Sequence, residues 1–374
     1  MAWIDGLRNW QSTQGRLNPS TDPAAGDSVS RQAETLARTA LAASYPVGRA
    51  PAAAQLEAQV KAEASLVSAS PTSRPALAPG YEPVLLLQPD PSKAKGTVLG
   101  FHGYTGRPDG LREFAERLYK DGYNVYIPRM SGHGIMDGQG KVTGREIPTS
   151  TQQSRYDAFV EAQYQKARSL GVPVSAFGLS GGGNLALQLC KRHPEVVRTA
   201  VLFPFLGPDA PIGPAVNSIL GADCWTGGAV SRELDHVGGQ KGIPLKDGKG
   251  GYTPTSGGQA LAMLREGRAV QSLPGHDKVE LFVTANDPAS GVRNVVDLSN
   301  RSGGSNEVPV DYFAPSVGVR HVFSESPAEA RAKVLSDVER FLVDGVPTPT
   351  TPPANPKVDV GSLVHQIGEK LEAN

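Results

Sequence analysis

Residues 178–182 read Gly178-Leu179-Ser180-Gly181-Gly182, a G-x-S-x-G segment. A serine hydroxyl is a poor nucleophile until a base removes its proton and its surroundings let it project. Glycines two before and two after leave room for a sharp turn that presents the oxygen at the top of a sheet. In a chain of 374 residues with 43 glycines the pentapeptide alone carries little weight, so its setting decides. An apolar strand pattern, Val172–Phe177, leads into it, and a helical pattern, Gly182–Arg192, follows. That strand-turn-helix order is what such a nucleophile needs, and a helix N-terminus adds positive potential where negative charge develops.

A nucleophilic serine also needs a base, a group that orients the base, and donors for an oxyanion. Phe101-His102-Gly103-Tyr104 closes an earlier strand pattern. In a parallel sheet the strand C-terminal ends share one edge, where ligands bind. The backbone N–H groups of Tyr104 and Gly181 are therefore expected to form the oxyanion hole, with His102 and Gly103 supporting the loop. One such donor is worth roughly 3 kcal/mol in the transition state. Asn286-Asp287-Pro288 follows the strand pattern Val279–Thr284, and His321 lies between the last strand and the last helix. His321 would take the Ser180 proton, and Asp287 would hold the imidazole. Each has a plainer reading: Ser180 as a turn serine, His321 as a polar strand exit, Asp287 as a loop cap in a turn-forming Asn-Asp-Pro. Asp209, beyond the strand Thr199–Phe203, is the alternative acid, and Asp297 stands behind it. The one other histidine after Asp287, besides His321, is His365, beyond a Pro-rich stretch. His133, in Gly132-His133-Gly134, is expected to shape the pocket rim. His193 suits a helix C-terminus.

These residues need a scaffold that delivers them to one edge. From Glu82 onward strands and helices alternate: strands at 84–87, 97–101, 125–127, 172–177, 199–203, 279–284 and 308–313, and helices at 110–121, 151–170, 182–192 and 327–343. Such βαβα succession predicts a mainly parallel sheet with helices on both faces. Residues 207–275 interrupt it with a Gly/Pro-rich stretch of little periodicity, expected to be a cap or binding loop. Three units follow. Residues 1–80 form a helical extension and linker, with amphipathic helices at 28–44 and 51–68. Residues 81–345 form the α/β domain. Residues 346–374 form a Pro-rich linker and a short amphipathic tail helix.

Lys+Arg and Asp+Glu are both 37, so there is no charge footprint for nucleic acid. No apolar run approaches the roughly 20 residues of a spanning helix, so no integral membrane segment is expected. The first 20 residues lack a signal-peptide pattern, which suggests a cytoplasmic protein as written and leaves secretion open for a chain whose leader was removed. Cys190 and Cys224 show no metal-ligand spacing, and their pairing stays open. Cys190 is expected buried in a helix. Cys224 and Trp225 either line a pocket or pack the insertion. The extension and the tail are candidate surfaces for a homo-oligomer.

The run Gly100-Phe101-His102-Gly103-Tyr104-Thr105-Gly106, then Asp121-Gly122-Tyr123 and Pro128 through Ser131-Gly132-His133-Gly134, resembles the monoacylglycerol lipase and carboxylesterase branch of the α/β-hydrolases. The resemblance spans about 82–345. It implies hydrolysis of a small-molecule or lipid-like ester through an acyl-enzyme, with a cap over the acyl pocket and no cofactor or metal. Thioesterases, amidases and polyester hydrolases share the constellation. The run Gly181-Gly182-Gly183 departs from the family's elbow and predicts a loosened helix start. It also forms, with Asn184-Leu185-Ala186 and Asp209, a relaxed dinucleotide fingerprint of the kind found in oxidoreductases. That reading places the motif in mid-sheet and leaves His102, Asp287 and His321 unexplained. A non-catalytic hydrolase-like scaffold would predict a broken triad, and none of the positions is broken.

Overall fold

Apolar strands and amphipathic helices assemble here as their alternation demands. The computed structural model describes residues 51–68, 76–207, 209, 213–226, 229–235, 253–273, 277–285, 287, 289–303 and 307–353. The main sheet contains β2 (Val84–Leu86), β3 (Thr97–Phe101), β4 (Asn124–Ile127), β7 (Val174–Leu179), β8 (Thr199–Leu202), β9 (Val279–Thr284) and β10 (Val310–Phe313). Their order is β10-β9-β8-β7-β3-β4-β2. Every neighbouring pair is parallel except β2–β4. Three two-residue strands, β1 (Ala76–Leu77), β5 (Ile135–Met136) and β6 (Val142–Thr143), make a small antiparallel sheet that the sequence pattern is too short to announce.

Side chains alternate across the sheet with period two. Val98, Val125, Ile127 and Phe177 face one side, where α2 (Arg112–Lys120) and α9 (Ala328–Asp344) contribute Phe114, Leu118, Val334 and Phe341. Leu99, Tyr126, Val174 and Ala176 face the other. There α1 (Pro51–Ser65), α3 (Ser154–Arg168) and α4 (Gly181–Arg192) supply Leu56, Val160, Tyr164 and Leu185. The helix expected at 51–68 is thus α1 followed by a 3-10 turn over Leu66–Ser68, and it covers the sheet. The helices expected at 28–44 and in the tail lie outside the described residues.

The 207–275 segment differs from its reading as an aperiodic loop. It holds α5 (Gly213–Trp225), α6 (Ala229–Leu234) and α7 (Gly257–Arg268). A capping box starts α7: the Ser256 hydroxyl accepts from Gln259 N–H, and Gln259 Oε1 accepts from Ser256 N–H. Leu261, Ala262, Met263 and Leu264 are all buried. A helix enclosed on several sides shows no polar stripe, so its period is hidden in the sequence. Helix α8 (Val292–Gly303) is a further element beyond the expected ones, and its apolar stripe of Val292, Val295 and Leu298 packs into the core. Cys190 is a free, buried thiol, and burial pushes it up to about 12. The side chains of Cys224 and Trp225 lie outside the described set.

The stretch that reads as a Pro/Thr linker is bonded to β10 where it is described. Thr350 N–H donates to Val310 C=O at 3.0 Å, and Thr350 Oγ1 to Asp311 at 2.9 Å. Thr348 N–H donates to Glu280 Oε1 at 2.7 Å. Glu280, and Glu266 in α7, are buried, and burial is the main cause raising each from 4.5 to about 8. The folded state therefore keeps protons that the unfolded chain releases above pH 4.5, so their contribution to stability falls as pH rises through about 8. Glu266→Gln and Glu280→Gln remove the titration. Each is expected to raise the melting temperature at pH 9 by about 3–6 °C and to change it little at pH 5. Thermal melts at the two pH values, with equal differences at both, would contradict this.

Candidate active site

Ser180 joins β7 to α4 and adopts φ 56°, ψ −120°, a left-handed-side backbone rare for a residue with a side chain. Glycines surround it for steric reasons. A Cβ on Gly178 would meet the Gly182 carbonyl, and one on Gly182 would meet the carbonyls of Phe101 and His102. A Cβ on Gly183 would lie 3.2 Å from Pro204 Cα. The three glycines do not loosen the helix: α4 starts at Gly181, and they let its first turn press against neighbouring backbone.

Two hydrogen bonds connect three distant residues. Ser180 Oγ lies 2.8 Å from His321 Nε2, and His321 Nδ1 lies 2.7 Å from Asp287 Oδ2. The carboxylate fixes the proton on Nδ1, which leaves Nε2 as the acceptor for the serine hydroxyl. Asp287 Oδ1 accepts from Ala289 N–H and Ser290 N–H, both at 2.8 Å. Asp287 thus caps its loop and holds the histidine at once, one oxygen for each task. Its side chain is fully buried and His321 is partly exposed.

Asp209, the alternative acid, points elsewhere. Its Oδ2 accepts from Arg293 N–H at 3.2 Å in the first turn of α8. Burial raises its carboxyl above the usual range. Asp297 belongs to α8 as well.

The Gly103-Tyr104 loop borders the serine. A Cβ on Gly103 would lie 4.0 Å from Ser180 Cβ, and one on Gly181 would lie 2.6 Å from Tyr104 Cβ. Gly181 opens α4, where an N–H has no acceptor within the helix. His102 is buried and locked: Nδ1–H donates to Gly103 C=O at 2.9 Å, and Nε2 accepts from Met130 N–H at 2.9 Å. Burial holds its pKa well below the usual histidine range, consistent with a neutral ring serving as a brace. His133 places Nε2 against the Tyr104 carbonyl and Nδ1 3.0 Å from the Ser131 carbonyl. His193 lies at the α4 C-terminus against Glu161 and Glu195. Met263 of α7 is a wall residue that the sequence reading missed: its Cγ would lie 3.1 Å from a Cβ on Gly181. No motif marks it, since only packing of α7 on α4 brings it there. Asn184 Nδ2 anchors that packing on the carbonyls of Phe205 and Met263.

Among the described residues, no cluster of three or more His, Cys, Asp or Glu side chains could hold a metal ion, and no helix is long and apolar enough to cross a membrane.

A parallel sheet wrapped by helices on both faces, with a strand-turn-helix serine at mid-sheet, defines the class: this protein has the α/β-hydrolase fold. Within that class it is similar to lipases and esterases. Residues 92–234 match the Hydrolase_4 family, described as serine aminopeptidase, S33. The thermostable monoacylglycerol lipase of Bacillus sp. (strain H-257) is 32% identical over 169 residues, which are 45% of this chain and 60% of that lipase. The chain thus matches less than two thirds of that relative's length. A soluble variant of the Saccharomyces cerevisiae monoglyceride lipase, solved with a substrate analog, superposes with a TM-score of 0.51 at 15% identity, covering 71% of this chain and 92% of that one.

Proposed function

We propose that the protein hydrolyses carboxylic esters through an acyl-enzyme formed on Ser180. The hydrogen-bonded line Ser180–His321–Asp287 carries this reading. Ser180 Oγ attacks the ester carbonyl as its proton passes to His321 Nε2. Asp287 stabilises the resulting imidazolium and keeps the ring oriented. The N–H groups of Tyr104 and Gly181 receive the developing oxyanion. His321 then protonates the departing alkoxide, activates a water, and returns the proton to Ser180 as the acid leaves. The similarity to a monoacylglycerol lipase makes a monoacylglycerol the first natural substrate to test.

A fluorophosphonate probe is expected to label the protein covalently at Ser180, read by peptide mass spectrometry. Esters of increasing acyl length are compared with matched amides and thioesters. Faster turnover of esters supports the proposal. Amide turnover exceeding ester turnover would replace it by an amidase or peptidase, and absence of labelling would remove the nucleophile.

A further inference from the structure

The helix α1 lies before the segment that matches the hydrolase family, yet it buries an ion pair against the wall of the site. Glu63, in its last turns, places Oε2 3.3 Å from Arg129 Nε, and the Arg129 side chain is fully buried. A guanidinium keeps its charge in a protein interior, so it needs an anion beside it. Arg129 Nη1 also donates to the carbonyls of Met130 at 3.4 Å and His133 at 3.0 Å. The guanidinium therefore shapes the turn that follows β4.

That turn grips the oxyanion loop from both sides. Met130 N–H donates to His102 Nε2, and His102 Nδ1–H donates to Gly103 C=O. Gly103 C=O and Tyr104 N–H belong to the same peptide plane, so holding one aims the other. On the far side, His133 Nε2 meets the Tyr104 carbonyl. Both peptide planes of Tyr104 are thus held by groups that Arg129 orders.

We infer that Glu63 is a positioning residue for the reaction: through Arg129 it sets the direction of the Tyr104 N–H toward the oxyanion. This rests on the ester-hydrolase reading above. An extension outside the family match would then complete the site rather than decorate it.

The full chain and its Glu63→Gln and Arg129→Lys variants are assayed on a p-nitrophenyl ester. Rates are taken per active site titrated with fluorophosphonate, so that unfolded molecules do not count. Glu63→Gln is expected to lower kcat about 10- to 100-fold with KM within about twofold, because misdirecting a donor affects the transition state more than the ground state. Affinity for an alkyl boronic acid, whose adduct with Ser180 mimics the oxyanion, is expected to fall with kcat. Glu63→Asp, which retains the carboxylate, is expected to recover part of both. If Glu63→Gln yields no titratable sites, Arg129→Lys decides by the same measurements. Per-site kcat and boronate affinity within about twofold of the parent chain would overturn the inference while ester hydrolysis stands. A parent chain that neither labels nor hydrolyses esters would overturn both.

Discussion

Ser180→Ala is expected to abolish ester turnover, with a loss of about 10⁶ in kcat, while the protein stays folded. The hydroxyl is the only group on this side chain, so its removal deletes the nucleophile and leaves the His321–Asp287 bond intact. Alanine keeps a Cβ and therefore keeps the φ 56° constraint, so it should change the melting temperature little. Ser180→Gly is the informative companion. It is equally inactive, but glycine accepts this backbone without strain, and it is expected to melt about 2–4 °C higher. Strain at the turn projects the hydroxyl, and the glycine variant measures what that costs. Turnover and circular-dichroism melts on the three proteins test both halves. Residual turnover near the parent level in Ser180→Ala would place the nucleophile elsewhere.

Asp287→Asn is expected to cost about 10⁴ in kcat. An asparagine amide facing His321 Nδ1 donates rather than accepts, so the ring proton moves to Nε2. His321 Nε2 then donates toward Ser180 Oγ and can no longer take its proton, although 2.8 Å still separates them. The amide oxygen keeps the loop bonds to Ala289 and Ser290, so the fold persists. Asp209→Asn is expected to leave kcat within a few-fold, because its contact is the first turn of α8. Its effect should appear in stability, where a lost helix-terminal carboxylate costs about 0.5–1 kcal/mol. A large kcat loss at Asp209 with little at Asp287 would exchange their roles.

Much of this was legible because the strands are short and nearly all apolar. β3, β4, β7, β8 and β9 are buried on both faces, and a continuous apolar run between turn signals marks such a strand. The parallel order followed from the intervening helices, and with it the edge on which Tyr104, Ser180, Asp287 and His321 emerge. Enclosed helices such as α7 gave no comparable signal, whereas α8 carries an apolar stripe of Val292, Val295 and Leu298 that the sequence reading passed over.

Residue type and order alone determined that this chain carries a serine on a strand-turn-helix, followed in sequence by candidate acids and one well-placed histidine. The choice between Asp287 and Asp209 belongs to tertiary structure. Both follow strand ends, and direction is set by what each carboxylate meets far along the chain: the His321 ring Nδ1, 34 residues from Asp287, and the Arg293 backbone N–H, 84 residues from Asp209. The same holds for Met263 and for the Glu63–Arg129 pair, 66 residues apart. Local pattern records what a segment buries, not what it is buried against; only the packed chain supplies the partner.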